Sequence, residues 1–138
     1  MKPLKQIQFM SVFFDEQRRL LMHHWLDGNE NINEHELKEI ISQETLIIKE
    51  YAPMYFIADD LNRKCAFTIE IQSWIASVVA EACITIGLKS LAIIVPEELI
   101  ANLSTEQTVD EAGQLPFEVK YFGNKNEALT WIKNLEKA

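Results

Sequence analysis

Two adjacent histidines are the first residues of this chain that could bind a metal. His23 and His24 lie within a predicted strand, where successive side chains point to opposite faces of the sheet. They therefore cannot converge on one ion, and His35 fits no HExxH spacing. The pattern predicts one imidazole in the packed face and the other near solvent, with no metal site.

Two adjacent carboxylates, Asp59 and Asp60, follow a short apolar run at positions 54–58. The carboxyl ends of strands in open α/β sheets are where ligands and catalytic groups gather. An enzyme could use either aspartate as a base, but no second catalytic group can be named beside them. The four glycines form neither a dinucleotide fingerprint nor a P-loop. We therefore expect a chain that is not an enzyme and that needs no cofactor.

The two cysteines match no zinc ribbon and no CxxC redox pair. Cys65 is expected at the surface of a loop, where Arg63 and Lys64 could lower its thiol pKa. Cys83 falls on the apolar side of a predicted helix and is expected in the core. Two unpaired cysteines and the lack of an apolar signal segment before the first strand favour a cytoplasmic protein.

Composition points to a single domain over residues 1–138, with 48% hydrophobic and 25% charged residues. The net charge of −8 repels phosphate backbones and anionic membranes, so we expect no nucleic-acid partner. The most apolar stretch, 69–96, is interrupted by Glu70, Glu81 and Lys89. It therefore lacks the run of about 18 uninterrupted apolar residues that a membrane-spanning helix requires.

Hydrophobic periodicity and capping residues predict the element order β-β-α-β-α-β-α-β-α. The expected fold class is α/β, with a mixed, mostly parallel five-stranded sheet opened by a β-hairpin and four or five helices. The predicted strands are 7–14, 20–26, 54–58, 91–95 and 117–122. The predicted helices follow Asn33, Thr68, Pro96 and Asn124, and Ser104 is a second cap within a helical segment that runs to about Gly113.

Large apolar residues occupy both faces of the hairpin and of the strand at 54–58. If helices covered only one sheet face, the other would be an apolar patch that needs a partner, so we expect a homodimer through that face. The alternative is a small-molecule or lipid-binding module, in which the strand ends form a pocket for an apolar ligand lined by the hairpin aromatics.

The element order, the Asp at the end of the third strand and the short loop into a Thr-capped helix resemble the STAS domain, the fold of bacterial anti-sigma-factor antagonists. The chain looks most like small stand-alone STAS-like proteins of uncharacterised role. The stretches that carry this resemblance are Asp60-Leu61-Asn62, Phe67-Thr68-Ile69, Val95-Pro96-Glu97-Glu98, Leu103-Ser104-Thr105-Glu106-Gln107-Thr108 and Tyr121-Phe122.

The resemblance implies a regulatory, protein-binding domain rather than an enzyme. The antagonists carry an Asp-Ser-Ser-Gly-like switch at the head of the helix after the third strand, where a partner kinase phosphorylates the serine. Here that region contains Thr68 as its only hydroxyl, and Ile69 stands roughly where the phosphorylated serine would fall. We therefore expect the usual phosphorylatable motif to be missing. The expected interaction loop contains Asp59, Asp60, Arg63 and Thr68.

Overall fold

A computed structural model describes residues 1–100 and 115–137 of the chain, in which a six-stranded sheet carries helices on both faces. The strands are β1 (Lys2–Ile7), β2 (Met10–Asp15), β3 (Leu20–Trp25), β4 (Tyr55–Asp59), β5 (Ser90–Ile94) and β6 (Glu118–Phe122). The helices are α1 (Glu34–Tyr51), α2 (Ile69–Thr85), α3 (Glu97–Ile100) and α4 (Lys125–Glu136), and a short 3-10 turn spans Asn29–Asn31. The predicted α/β class is confirmed.

The sheet has one strand more than predicted because residues 2–7 form β1, most of which lies before the predicted strand at 7–14, and a turn separates it from β2. The antiparallel pair β1 and β2 is joined by a tight turn in which Ile7 pairs with Met10. Gln8 adopts a left-handed backbone conformation there, with φ of 51°. Such turns usually contain glycine or asparagine, so a glutamine between apolar residues left no turn signal in the sequence.

The strands follow one another across the sheet in chain order, and β3 to β6 are parallel. One face packs under α1 and α2, where the core includes Leu21, Trp25 and Phe56. The other face packs under α4, where Leu20 and Ile57 are fully buried. Helices therefore lie on both faces, but α4 contacts β4, β5 and β6, and the homodimer through a sheet face stays a prediction.

Three predicted helix starts are confirmed by their capping bonds. Asn33 and Glu36 form a reciprocal capping box at α1, Thr68 accepts a hydrogen bond from the Ile71 amide at α2, and Asn124 caps α4. Because these side chains satisfy backbone donors that the first helical turn leaves unpaired, they fix where each helix begins. The loop that leads into α2 begins at the carboxyl end of β4 and reaches the carboxyl end of β3, where the Asn62 side chain donates to the Trp25 carbonyl.

The predicted helix after Pro96 begins as α3, which runs over Glu97–Ile100. The second predicted cap at Ser104 and the end near Gly113 lie outside the described residues. Within residues 1–100 and 115–137, none of the helices has the length and apolar character needed to cross a membrane.

Candidate functional site

A buried imidazole lies between two carboxylates where α1 packs on the sheet. His23 of β3 is 5% exposed and Glu44 of α1 is 2% exposed. The Nδ1 atom of His23 is 2.5 Å from Glu44 Oε2, and its Nε2 atom is 2.7 Å from Asp60 Oδ1. The Trp25 indole N–H donates to the same Asp60 oxygen at 2.8 Å. The four side chains form one hydrogen-bonded cluster, which we call the His23 cluster.

The two carboxylates hold His23 in its protonated form. Burial by itself lowers the pKa of His23, but the negative charges of Glu44 and Asp60 and their hydrogen bonds raise it to about 10. A protonated imidazole donates from both ring nitrogens, which matches an acceptor at each of them. Below that pH, His23 lacks the free lone pair that a general base or a metal ligand requires.

The cluster therefore has the chemistry of a structural core group. Among the described residues, no group of three or more His, Cys, Asp or Glu side chains is arranged to hold a metal ion. The Glu44 and Asp60 oxygens point at opposite edges of one ring rather than at a common centre. What the cluster does is tie α1, β3 and the residue after β4 together.

A second histidine–carboxylate pair, His24 and Asp59, lies on the other face of the sheet. This is the placement predicted for His24, because it follows His23 in the same strand. His24 has a side chain that is 44% exposed, and its Nδ1 is 3.3 Å from Asp59 Oδ2. Asp59 is buried, and its other oxygen accepts a hydrogen bond from the Leu61 amide at 3.2 Å. The carboxylates of Asp59 and Asp60 are thus both engaged with the protein, on opposite sides of the strand end.

A fully buried asparagine anchors the loop that follows β4. The Asn29 side-chain oxygen accepts hydrogen bonds from the backbone amides of Lys64 and Cys65, at 2.6 and 3.1 Å. Its amide nitrogen donates to the carbonyls of Leu26 and Asn62, at 2.8 and 2.9 Å. One side chain therefore satisfies four backbone groups of two separate loops, which fixes residues 60–68 against the turn after β3.

Two further contacts stiffen the same loop. The side-chain amide of Asn62 donates to the Trp25 carbonyl at 3.0 Å and to Asp27 Oδ1 at 2.9 Å. The Arg63 guanidinium stacks on the Phe67 ring, 3.6 Å from its centroid, and donates to the Cys65 carbonyl. Arg63 is therefore part of the internal structure of the loop rather than a free surface charge.

The residues that were predicted to form the interaction loop are largely not the residues that the loop exposes to solvent. Asp59, Asp60 and Arg63 point into the structure, and Thr68 is exposed but is occupied as the cap of α2. Leu61, Lys64, Ala66 and Ile69 face solvent. The side chains of Leu61 and Ile69 are 43% and 82% exposed. The outward face of residues 60–68 is thus small and mixed, with Leu61 and Ala66 beside Lys64 and Thr68, and Ile69 adjoins it as the first residue of α2.

The surface position expected for Cys65 is wrong. Cys65 is 3% exposed, and burial raises its thiol pKa despite the opposing effect of Arg63. Cys83 lies in the core as predicted, where burial and the Glu44 charge raise its pKa to about 12. Both thiols are free and protonated at neutral pH, so neither has the reactivity of a thiolate.

Four surface cavities of 280, 380, 550 and 660 Å³ are lined by described residues. None of these four is lined by Asp59, Asp60 or residues 61–68. The 550 Å³ cavity begins at Ile69 and runs along the outer side of α2 to Leu115. These four therefore do not include the strand-end pocket of the ligand-binding alternative.

Comparisons with known proteins do not add a family assignment. No family model matches this chain, and no significant match is found among curated proteins or solved structures. The STAS-like expectation therefore depends on the residues and on the element order alone.

Sequence reasoning missed Glu44, Asn29 and the role of Trp25. A signal for Glu44 was present, because it falls in the apolar series of α1, between Ile41 and Ile48 at helical spacing. A carboxylate on a buried helix face requires a partner. Asn29 gave no such signal, since it lies in a run of polar turn formers from which a buried member cannot be picked out.

Replacing Asn29 by Ala is expected to lower the free energy of unfolding by about 2 kcal/mol. The substitution leaves the backbone amides of Lys64 and Cys65 without their acceptor. Urea denaturation measures the change. Asn31→Ala is the matched control, since Asn31 is exposed in the same turn. A cost for Asn29→Ala no larger than that of the control would show that the anchor carries no stability.

Proposed function

We propose that this chain is a cytoplasmic, non-enzymatic regulatory domain of STAS-like type that binds a protein partner through the outward face of residues 60–68. The observation that carries the proposal is an apolar side chain, Leu61, presented to solvent by a loop whose backbone is fixed by buried hydrogen bonds. Binding residues lie disproportionately on loops that a rigid scaffold positions, which is the setting of Leu61.

Rigidity supports binding because it removes a cost of association. A flexible loop loses conformational entropy when a partner orders it, and that loss weakens the complex. Here Asn29, Asn62 and Asp59 already hold the loop in the free protein. The His23 cluster also holds Asp60, the first residue of the loop, through its hydrogen bond with the imidazole.

The chemistry of the site also favours binding over catalysis. His23 is held protonated, Cys65 is buried as a thiol, and Asp59 and Asp60 are occupied by neighbouring donors. Nucleophilic or general-base catalysis requires a group that can accept a proton or attack a substrate. The acidic net charge of −8 further favours a partner with a basic surface.

The test is affinity capture from the soluble extract of the host cell, with three immobilised forms of the chain. Wild type is compared with Leu61→Asp and with Leu46→Asp, a control that changes a 66% exposed leucine on α1. We expect a protein that wild type and Leu46→Asp retain alike and whose recovery falls about tenfold or more with Leu61→Asp.

Two outcomes would contradict the proposal. Equal recovery with Leu61→Asp would place the binding surface elsewhere. A small molecule found bound to the purified chain, with no protein retained, would instead favour the ligand-binding alternative.

A further inference from the structure

The 660 Å³ cavity lies at the amino end of β3, at the opposite end of the sheet from residues 60–68. Its volume falls within the roughly 300–1,000 Å³ of small-molecule sites. The lining comes from β1, from β2 with the turn after it, and from the last turn of α1. Four of the seven lining side chains are charged and three are apolar or aromatic.

The cavity is remote from the points where residues 101–114 join the described structure. It adjoins β1, which is one edge of the sheet, whereas β6 is the other edge. Residues 101–114 follow α3 and precede β6, and α3 itself contacts β6. Both ends of that segment are therefore attached near the far edge, with β2 to β5 between β1 and β6.

Two aromatic rings form most of the apolar part of the lining. The rings of Phe14 and Tyr51 are tilted at 56° with their centroids 5.2 Å apart. Phe14 is 9% exposed, whereas Tyr51, the last residue of α1, is 37% exposed. Leu4 of β1 lines the same cavity and is half-buried. These three side chains offer contact area to a large apolar group of a ligand.

Opposite charges line the same cavity without pairing with each other. The cations are Lys2 and Arg19, and the carboxylates are Glu16 and Glu50. All four side chains are exposed. The ion pairs found in residues 1–100 and 115–137 include none of the four. Both signs of charge therefore remain available to a ligand in the cavity.

Arg19 is the lining charge whose position is fixed by the fold. Its guanidinium donates to the carbonyl of Ala52, the residue that ends α1. Its backbone carbonyl accepts from the amides of Met54 and Tyr55, at 2.8 and 3.1 Å. A guanidinium has five N–H donors, so the bond to Ala52 leaves others for an anion. Arginine is well suited to bind a carboxylate, because it can donate two parallel hydrogen bonds.

The balance of charges in the lining favours a ligand that carries one charge of each sign. A simple anion would meet two carboxylates in the cavity and the repulsion of a chain with a net charge of −8. A zwitterion has no net charge, and it satisfies a guanidinium and a carboxylate at once. An α-amino acid is the common small zwitterion, and a large apolar side chain matches the aromatic part of the lining.

We propose that this cavity binds a free α-amino acid with a large apolar side chain. Arg19 binds its carboxylate, Glu50 binds its ammonium group, and the side chain packs on Phe14 and Tyr51. Glu50 is chosen over Glu16 because it also lines the adjoining 280 Å³ cavity and therefore stands where the two cavities meet. Because the charged groups are exposed, we expect a dissociation constant of about 1 mM.

Titration of the chain with L-phenylalanine, followed by two-dimensional amide NMR spectra, measures the binding and its location. We expect saturable shifts at the amides of Arg19, Tyr51 and Ala52. Phenylpropionate lacks the ammonium group, phenethylamine lacks the carboxylate, and glycine lacks the apolar side chain. Each should bind about tenfold more weakly than phenylalanine, because a charge-assisted hydrogen bond or the apolar contact is lost.

Two variants assign the charged groups of the ligand to their partners. Glu50→Gln should weaken phenylalanine about tenfold and leave phenylpropionate unchanged, whereas Arg19→Gln should weaken phenylalanine and leave phenethylamine unchanged. Arg18→Gln and Glu39→Gln are the matched controls, because neither residue lines the cavity. The NMR spectra also report whether each variant is folded, and Glu50→Gln tests the site without altering the Arg19 bond to Ala52.

Three results would overturn the proposal. The first is the absence of saturable shifts up to about 20 mM phenylalanine, well above the expected dissociation constant. The second is phenylpropionate binding as tightly as phenylalanine, and the third is unchanged phenylalanine binding by Glu50→Gln and Arg19→Gln. Because no residue of 60–68 lines this cavity, protein capture by the loop and amino-acid binding here can fail independently.

Discussion

Glu44→Gln is expected to lower the free energy of unfolding by about 3 kcal/mol or more at pH 7. The substitution keeps the size of the side chain but removes the charge that faces His23 across 2.5 Å in a site that is 2% exposed. The imidazolium then keeps only Asp60 as a counter-charge. Breaking one partner of a buried ion pair typically costs about 3–5 kcal/mol, because a desolvated charge is left behind. Urea denaturation measures the loss.

Glu39→Gln is the matched control, because Glu39 is exposed on the same helix and its loss should cost well under 1 kcal/mol. The double variant His23→Leu with Glu44→Leu is expected to be more stable than Glu44→Gln, since it removes the two most buried charges together. Asp60, whose side chain is 19% exposed, keeps the Trp25 indole as a donor. Equal costs for Glu44→Gln and Glu39→Gln would mean that the buried pair contributes nothing to stability.

Stability is expected to fall as the pH rises from 6.5 toward 10. The two carboxylates outweigh burial and raise the pKa of His23 from 6.5 to about 10, so in this window the folded chain binds a proton that the unfolded chain has released. The His23 contribution is complete below pH 6.5 and is lost as the pH passes through about 10. The slope reaches about 1.4 kcal/mol per pH unit at most.

The measurement is a series of urea unfolding curves across that range, for wild type and for His23→Gln. Burial also raises the pKa values of the Cys65 and Cys83 thiols, so the difference between the two proteins is needed to isolate the contribution of His23. The variant should be less stable near neutral pH and should lack most of the slope. Parallel profiles for the two proteins would show that His23 is neutral in the folded state.

Helix starts and the parallel half of the sheet could be predicted because their signals are local. Asn33 with Glu36 and Asn124 with Glu127 are capping patterns three residues apart, and Thr68 precedes a long apolar helix. The apolar run around Ile57 is too short for a helix and reads as a buried strand. The turn at Gln8 lacked such a signal, which is why β1 was missed.

The site was harder to predict because its bonds join residues that are distant in sequence. Asp59 and Asp60 were singled out by their place at a strand end, but nothing local shows that His23, 37 positions away, binds Asp60. Cys65 was expected at the surface because its neighbours are cations, whereas its burial is set by the Asn29 anchor 36 positions away. Thr68 acts as the cap that its position predicted.

Hydrogen exchange of the Lys64 and Cys65 amides in the free protein tests most directly whether residues 60–68 form a preformed binding surface. Both amides donate to the buried Asn29 oxygen. The account predicts that they exchange almost as slowly as core amides, because their opening requires the anchor to break. Exchange at the rate of an unstructured loop would contradict it, since the loop would then be ordered only by a partner.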